Sequence, residues 1–458
     1  MPDSPCRPTT PPGQDRRLAI VLATDEPAGA CSPPCDCWTV PLCGRPAVEW
    51  LLDTVVELRP DALGFTGRAA AAVRARACAR RALRPAISAG RGGLGDWSGL
   101  IVTLSCLNPL LQPAGIRRAI GALGDGEFGV VVIRSSSSEC WWSPRSAACT
   151  VAAVVYAGDP GAPVTVIDAG PVESLRVDDP AERQQAEVAL YQKIAVDWQR
   201  RGVLIEDPAT TRIDATVRIG AGTRIRPHTE LIGRTAIGSA ASIGPVTTMI
   251  DTTAGDECVV RYAVCEDVTI GENARIGPFT WLRSGTRLGA RTRAGSFVEV
   301  SNSVVGDDTQ IPHVAGLMSA DVGKGCNIAG LSGTAIFDGQ AKHRVEIGDH
   351  VFVGAGTIMI GPMSVGDGAY TAAGSVLASD VPGGALASSR SKQLVREGWV
   401  AANLQDTAAA DAARQNNGAA ARHTNGAAAR GDNGAAARGD NGAVARPDPC
   451  HAHGVSSA

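Results

Sequence analysis

Aromatic residues are scarce in this chain: Phe, Trp and Tyr together make up 4% of its 458 residues, although hydrophobic residues make up 44%. The core must therefore be filled by Val, Ile, Leu and Ala, which argues against a sandwich packed around aromatic rings. The imbalance favours an architecture that stacks short aliphatic side chains.

The chain also lacks an excess of charge of either sign, with 43 basic and 46 acidic side chains and a net charge of −3. The chain therefore has no overall positive charge that would indicate nucleic acid or an anionic membrane as a partner. Residues 1–17 are polar and rich in proline, without the apolar stretch of a signal peptide. No apolar run approaches the length of a membrane span, so we expect a cytoplasmic protein.

Paired C-x-x-C motifs are missing, although the chain contains 13 cysteines. Without a signal peptide, we expect reduced thiols that pack as small hydrophobic groups. A cluster at Cys31, Cys35, Cys37 and Cys43 could be considered for zinc, but the spacing is wrong and no histidine lies nearby. We expect no metal site.

A repeat is the most prominent feature that is present. Between residues 213 and 381, an aliphatic residue followed by a small residue recurs about every six positions. Neither the helical period near 3.6 nor the strand period of 2 explains this spacing. It indicates a β-helix, in which each short strand places one aliphatic side chain into a central stack and the small residue allows the turn. Examples are Ile219-Gly220, Ile237-Gly238, Ile276-Gly277, Ile347-Gly348 and Val365-Gly366.

Upstream of the repeat, short apolar strands alternate with helices, which predicts an α/β domain with a largely parallel sheet over residues 17–178. A helix follows, because Ala186, Leu190, Ile194 and Trp198 recur at four-residue spacing after Pro180. The predicted strands are 18–22, 100–104, 129–133 and 151–156, and the predicted helices are 47–58, 114–123 and 181–201.

The two ends of the chain have compositions that favour disorder. Residues 1–16 form a Pro-rich leader, and beyond Trp399 a unit Asn-Gly-Ala-Ala-Ala-Arg recurs from Asn417 without large apolar side chains. An arginine-bearing interaction tail is the alternative. The predicted organisation is a leader (1–16), an α/β domain (17–178), a linker helix (179–202), a β-helix (203–400) and a low-complexity tail (401–458).

Four segments in order give the chain its resemblance to a known family. They are G-V-L-I-E-D-P at 202–208, I-G-P-F-T-W-L-R-S-G at 276–285, G-S-F-V-E at 295–299 and E-G-W at 397–399. The chain resembles the bifunctional enzymes that make UDP-N-acetylglucosamine from glucosamine 1-phosphate. The resemblance implies a Rossmann-like nucleotidyltransferase domain, a left-handed β-helix that transfers an acetyl group from acetyl-CoA to an amino sugar, and a homotrimer.

The resemblance also assigns roles to residues of the β-helix. His313, which follows Pro312 where the family has glycine, matches the catalytic base, and Glu299 is placed to orient it or to balance its charge. Arg283 and Lys342 match residues that hold the sugar phosphate, and Asn327 matches a substrate-binding asparagine. Acetyl transfer to an amine needs such a base and such cations.

The coenzyme is expected in a groove along neighbouring coils. Two small residues of the family that bind it through their backbone correspond to Ala355 and Ala373. Arg390 matches an arginine near the coenzyme phosphates, and Arg396 stands where the family has a basic residue. Corner packing is the alternative role for both alanines.

Other positions depart from the family. A second phosphate lysine is Ser301 here, a substrate tyrosine is Gly316, and an Asn-Tyr pair is Ile336-Phe337. Each lost polar contact costs on the order of 1–3 kcal/mol for the original acceptor. These losses indicate either an altered acceptor or an inactive site, and the retained base, arginine and lysine favour an altered acceptor.

The N-terminal domain departs further. The family's Gly-rich phosphate turn is replaced by A-T-D-E-P at 23–27, which puts negative charge where a phosphate should bind. The lysine position falls near Cys37 and the metal-binding aspartate at Leu107, which leaves Asp178 alone at the second metal position. We therefore expect a structural relic without uridylyltransferase activity and without a need for Mg²⁺.

The sequence leaves three functional hypotheses. The leading hypothesis is an acyl-CoA-dependent N-acetyltransferase that acts on an amino sugar or its 1-phosphate. The alternatives are a sugar-phosphate nucleotidyltransferase and a non-catalytic β-helix scaffold. Turnover of a nucleoside triphosphate distinguishes the second hypothesis from the first, and CoA release that depends on His313 distinguishes the third.

Overall fold

The structure is a computed structural model of the whole chain. It describes residues 17–23, 39–66, 70–89, 100–106, 108–122, 130–134, 150–156, 164–168, 170–177, 180–391 and 393–415. Contacts divide the chain into a unit Met1–Arg390 and a unit Ser391–Ala458. The second unit contains a helix at Trp399–Asn403 and a helix over 408–415.

The N-terminal part is built on a six-stranded sheet flanked by helices. One strand, Thr150–Tyr156, runs antiparallel to both neighbours, and the other pairings in the sheet are parallel. The prediction of a largely parallel α/β sheet is therefore confirmed. In sheet order the strands are Ala62–Thr66, Leu18–Ala23, Leu100–Ser105, Thr150–Tyr156, Val130–Arg134 and Val164–Asp168, and the helices are Ala47–Leu58, Ala70–Ala79, Arg84–Ala89 and Pro113–Ala122.

Some of these elements are absent from the sequence-based prediction. Strand Ala62–Thr66 contains a glycine, and helix Ala70–Ala79 consists mostly of Ala and Arg and buries only Val73 and Ala77. Such segments carry weak periodic patterns, so tertiary packing decides their conformation. A two-stranded hairpin, Pro41–Leu42 and Arg45–Pro46, turns through Cys43 and Gly44, both with positive φ.

The predicted linker helix spans Pro180–Arg200 and packs its buried residues against the first coils of the repeat region. A polar cluster marks this junction. The Tyr191 hydroxyl donates to Asp214 Oδ1 over 3.4 Å, and Gly233 N donates to Asp214 Oδ2 over 2.9 Å. Burial, followed by the charges of Asp214 and Glu187, raises the pKa of the Cys43 thiol to about 12. The cluster therefore joins hairpin, helix and coil.

The repeat region is a parallel β-helix with three faces, called here the first, second and third face in the order in which each coil passes through them. The prediction of a left-handed β-helix built from hexapeptide repeats is confirmed. Two strands, Arg293–Ser301 and Gln310–Met318, run round the edge between the first and second faces.

The remaining strands each lie on one face. On the first face they are Leu204–Ile205, Arg224–Ile225, Ser242–Ile243, Val259–Val260, Arg275–Ile276, Asn327–Ile328, Phe352–Val353, Tyr370–Thr371 and Leu386–Ala387. On the second face they are Arg212–Ile213, Thr229–Ile232, Thr247–Ile250, Ala263–Glu266, Thr280–Leu282, Gly333–Ala335, Ile358–Ile360 and Val376–Leu377. On the third face they are Arg218–Ile219, Ala236–Ile237, Thr253–Ala254, Thr269–Ile270, Arg287–Leu288, Val304–Val305, Ala320–Val322, Val345–Ile347 and Met363–Val365.

The hexapeptide pattern has a direct physical cause. On each face the aliphatic residue points inward and is buried, as Ile243, Leu282 and Ile270 are, so that successive coils build one continuous core. The small residue after each third-face strand is a glycine because the next coil passes too close for a side chain. A Cβ at Gly271 would lie 2.5 Å from the carbonyl carbon of Gly289, which no packing tolerates.

Candidate functional site

His313 lies at the edge where the first face turns into the second. The register pairs Ser296 with His313, and the same register continued coil by coil puts Gly330, Ala355 and Ala373 in the same column. Backbone hydrogen bonds join the column: Gly356 N donates to Gly330 O over 2.9 Å, and Gly374 N donates to Ala355 O over 2.8 Å. The predicted base and the two predicted coenzyme-binding alanines thus follow one edge, at about 4.8 Å per coil.

The His313 ring has a defined position. A Cβ on Gly330 would lie 2.5 Å from His313 Cδ2 and 2.8 Å from Nε2, so the imidazole covers the bare backbone of Gly330. The side chain is exposed. In the part of the chain that the structure describes, neither ring nitrogen has a hydrogen-bond partner, which leaves them open to a ligand. The ring can therefore accept a proton from a bound amine.

Arg283 and Glu299 form an ion pair on the second face, with 3.0 Å between Arg283 Nη1 and Glu299 Oε1. The Arg283 guanidinium also stacks on Trp281, with its Cζ atom 4.5 Å from the ring centroid. Stacking and ion pairing fix the planar group over the sheet. The contact of Glu299 in this structure is with Arg283, and the predicted role of Glu299 in orienting His313 stays a prediction.

Two positions of the second face, three residues beyond the His313 column, have no side chain. Gly316 and Gly333 are paired in register on the second face, where outward residues of earlier coils are Trp281 and Glu299. Arg283 lies in the same column as Ser301 and Met318, five residues along the strand from His313. Arg283 and His313 are thus separated by roughly 16 Å across the face and 10 Å along the axis. The exposed side chains of Val314 and Leu331 lie between the His313 column and the patch at Gly316 and Gly333.

Lys342 stands on a hairpin that leaves the coil at the far border of this patch. Phe337 and Lys342 form an antiparallel bridge, and Asp338 Oδ1 accepts hydrogen bonds of 2.8 Å from Gln340 N and Ala341 N. His343 Nε2 lies 2.6 Å from Asp338 Oδ2. The backbone donor at Ala341, followed by His343, holds the pKa of Asp338 well below its usual range. Lys342 is therefore exposed on an ordered hairpin.

The remaining predicted residues lie apart from this patch. Asn327 points outward from the first face, in the same coil as Gly330. Arg390 Nη1 donates to Ala373 O over 3.4 Å, which places it at the end of the edge column. Arg396 belongs to the second unit of the chain. Within one chain, His313 therefore lies at one edge of the second face, Arg283 lies towards its other end, and Lys342 lies on the hairpin that follows this face. Asn327 lies on the first face.

The predictions for the N-terminal site fall mostly outside the described residues, as Thr24, Cys37, Leu107 and Asp178 do. Of the four cysteines considered for zinc, the structure describes only Cys43. Within the described ranges, no group of three or more His, Cys, Asp or Glu side chains is arranged to hold a metal ion. Within the same ranges, no helix combines the length and the apolar character that spanning a bilayer requires.

Sequence analysis missed a second feature of the same edge, called here the corner ridge. Apolar side chains occupy the corner next to the His313 column in six successive coils, all with left-handed backbone and all exposed. Bulky and β-branched residues rarely adopt this conformation. In the sequence each lies three residues after the buried aliphatic residue of the first face, except Tyr262, which lies two residues after Val260. The ridge consists of Val246, Tyr262, Phe279, Phe297, Val314 and Leu331.

Comparison with known proteins is informative at the level of sequence. No protein-family model matches the chain. The chain is 39% identical over 334 residues to the "Bifunctional protein GlmU" of Mycolicibacterium vanbaalenii, a match that covers 66% of this chain and 67% of that protein. It is 44% identical over 255 residues to the protein of the same name from Mycolicibacterium gilvum, covering 54% of this chain and 51% of that protein.

Solved structures give weaker likenesses. LpxA from Acinetobacter baumannii is 21% identical with a TM-score of 0.28, and the match covers 41% of this chain and 71% of that one. A 4-diphosphocytidyl-2C-methyl-D-erythritol synthase from Anaerococcus prevotii is 13% identical with a TM-score of 0.26, covering 38% of this chain and 98% of that one. At such low TM-scores, neither structure supports an argument about this chain.

The extent of the sequence match decides the assignment. The chain spans about half the length of curated relatives such as the proteins of Mycolicibacterium gilvum and Mycobacterium marinum. The match to the Mycolicibacterium vanbaalenii protein extends over 67% of that protein's length. On that match, the chain belongs to the GlmU family.

Proposed function

We propose that the protein is an acyl-CoA-dependent N-acyltransferase that acts on an amino sugar or an amino-sugar 1-phosphate, with acetyl-CoA as donor. The observation that carries the proposal is the edge column, in which His313 and the alanines at 355 and 373 lie in register. A chain of pantetheine length needs such a continuous groove that leads to a base. The Arg390 side chain at the end of the column is suited to the coenzyme phosphates.

In the proposed reaction, His313 removes a proton from the ammonium group of the acceptor. The free amine then attacks the thioester carbonyl, an amide bond forms, and the carbon–sulfur bond breaks to release CoA as its thiol. A positioned base typically contributes about 10²–10⁴ in rate. The exposed ring, whose nitrogens have no partner among the described residues, is suited to this role because the acceptor can reach it directly.

Arg283 and Lys342 are the proposed cations for an anionic group of the acceptor. Because Arg283 and His313 of one chain are far apart, these cations would serve the His313 of a neighbouring copy in the proposed homotrimer. The guanidinium of Arg283 is held in one orientation by Glu299 and Trp281, and Lys342 stands on the hairpin fixed by Asp338. The bare sheet at Gly316 and Gly333 supports an acceptor bulkier than the one that a tyrosine at that position would allow. An altered acceptor remains the proposal for this site.

A homotrimer is part of the proposal. The corner ridge exposes apolar side chains over six coils, and contiguous apolar surface of this kind is typical of protein interfaces. Asn327, on the first face, can complete the second-face site of a neighbouring copy. Replacing both Phe279 and Phe297 with Glu should convert the trimer to monomers, as measured by light scattering on a sizing column.

We also propose that the N-terminal domain no longer transfers uridylyl groups, that Mg²⁺ is not required, and that domain boundaries follow the sequence-based division. The support is the acidic sequence at 23–27 and the leucine at the metal position. Incubation with UTP, N-acetylglucosamine 1-phosphate and Mg²⁺ tests the loss directly, since released pyrophosphate would contradict it. The expected cytoplasmic location remains a prediction.

The proposed acyl transfer is tested by CoA release. The full chain is incubated with acetyl-CoA and a panel of amino sugars, each with and without a 1-phosphate, and the free thiol is measured. We expect release with at least one acceptor and a loss of about 10²-fold or more in His313→Asn. A non-catalytic scaffold would show no acceptor-dependent release, and equal rates in His313→Asn would remove the proposed base.

A further inference from the structure

The arginines of the β-helix fall into two groups. Seven have a carboxylate partner within 4 Å in the described chain: Arg212, Arg224, Arg226, Arg234, Arg283, Arg291 and Arg344. Three arginines of neighbouring coils on the first face have none among the described residues, namely Arg261, Arg275 and Arg293. They are called here the arginine cradle, and all three are exposed.

The members of the cradle are direct neighbours. Arg275 and Arg293 are paired in register on adjacent strands, and Val259, two residues before Arg261, is paired with Arg275. Like charges on directly opposed residues destabilise a sheet unless something neutralises them. The bordering Arg291 does not share this problem, because Asp308 accepts two hydrogen bonds from it, of 2.7 and 2.8 Å. The cradle is thus a local concentration of uncompensated positive charge.

The floor of the cradle is bare backbone. Gly277 and Gly295 lie beside the arginines, in the column that begins with Arg261. A Cβ on Gly277 would lie 1.8 Å from Arg261 O, and one on Gly295 would lie 1.9 Å from Pro312 O, so strand packing requires both glycines. The first face therefore has no side chain at Gly277 and Gly295, beside the three arginines.

The position of these two glycines suggests what the cradle binds. Pro312 is the register neighbour of Gly295, and His313 follows it directly, so Gly295 lies roughly 6 Å from the proposed base and Gly277 about 10 Å from it. That distance is the size of one sugar ring. The three arginines span two coil steps, about 10 Å, which is longer than one phosphate group and suits two linked phosphates. Guanidinium groups bind phosphate oxygens in pairs.

We propose that the arginine cradle binds a diphosphate group, and that the acceptor is an amino sugar carried on a nucleoside diphosphate, with its amine at His313. The acceptor in this inference rests on the proposed acyltransferase function, whereas the anion site does not depend on that function. In this arrangement the cradle replaces Arg283 and Lys342 as the site for the phosphate groups of the acceptor, which accounts for the loss of a phosphate lysine at Ser301. Coenzyme A does not fit the cradle, because its diphosphate lies a full pantetheine length from the thioester.

The first measurement is binding of inorganic pyrophosphate to the full chain by calorimetry, with no reaction involved. The variant is Arg275→Gln with Arg293→Gln, and the matched control is Arg218→Gln with Arg287→Gln. The control removes two exposed third-face arginines without an ion-pair partner in the described chain. We expect the cradle variant to bind pyrophosphate at least tenfold more weakly and the control to bind as the wild type does. Equal binding by all three proteins, or no binding by the wild type, overturns the anion site.

The second measurement is CoA release with acetyl-CoA and either UDP-glucosamine or glucosamine 1-phosphate. We expect the wild type to prefer UDP-glucosamine, and the cradle variant to lose that preference through a rise in KM with little change in kcat. Preference for the monophosphate overturns the acceptor class. If no acceptor supports CoA release while pyrophosphate binding depends on the cradle, the proposed acyl transfer fails and the anion site stands.

Discussion

Replacing Gly330 with alanine tests the proposed base through its neighbour, without touching the imidazole itself. The new Cβ would lie 2.5 Å from Cδ2 and 2.8 Å from Nε2 of His313, well inside van der Waals contact. The third neighbour, His313 O, lies 3.3 Å away, so the backbone needs little adjustment. The ring is the movable partner, because it is the exposed end of a side chain. Gly330→Ala should therefore displace the imidazole and leave the coil in place.

The size of the effect follows from the displacement. Restoring normal contact requires the ring to move by roughly 1 Å, and an error of that size in a catalytic group can cost about 10²-fold in rate. Stability should not fall, since Gly330 is not among the glycines with positive φ, and alanine at a compatible site adds about 0.4–1 kcal/mol to the free energy of unfolding. Activity and stability should thus change in opposite directions.

The assay combines CoA release with thermal unfolding, in the wild type, Gly330→Ala, His313→Ala and the double variant. If the alanine acts through the imidazole, Gly330→Ala should lower kcat in the wild-type background and have no further effect when His313 is already alanine. Full activity of Gly330→Ala would refute the placement of the ring. A further loss in the His313→Ala background would show that the alanine acts on something other than the base.

Two further predictions concern the fold and its junction. Gly271→Ala should lower the free energy of unfolding by about 1–3 kcal/mol, because its Cβ would meet the backbone of the next coil. Gly121→Ala should not lower it, because no atom lies within 4 Å of its Cβ. Equal melting temperatures of these two variants would contradict the packing argument. Burial raises the pKa of Asp214 above its ordinary value of 3.8, so the folded protein binds this proton more tightly than the unfolded chain does. The contribution of Asp214 to the free energy of unfolding therefore falls as pH rises from 3.8 through the folded pKa. Asp214→Asn should therefore gain in melting temperature relative to the wild type between pH 4 and pH 7, and a relative loss over that range would show that the carboxylate is stabilising.

The β-helix could be predicted because its signal is local and repeated. Each inward residue, such as Ile243 or Ile270, is aliphatic because it fills the core. Each corner glycine, such as Gly271, is small because the next coil passes close to it. Strand Ala62–Thr66 and helix Ala70–Ala79 escaped prediction because their positions depend on contacts distant in the sequence. The antiparallel strand Thr150–Tyr156 has the same pattern as a parallel one, so only pairing shows its direction.

The site likewise contains residues that the sequence could predict and contacts that it could not. His313 and Arg283 were found from short segments, because each segment retains its order and spacing in the chain. The contact of the imidazole with Gly330 depends on the register between coils that are 17 residues apart, which the sequence does not state. The corner ridge was missed because its residues, such as Phe279 and Phe297, look like ordinary core residues until the left-handed backbone turns them outward.

A structure of the full chain crystallised with coenzyme A tests the central claim most directly. The account predicts that the coenzyme follows the edge column, with its sulfur next to the His313 imidazole, its pantetheine along Ala355 and Ala373, and its nucleotide near Arg390. Coenzyme bound away from this edge, or with its sulfur distant from the imidazole, would contradict the proposed transferase.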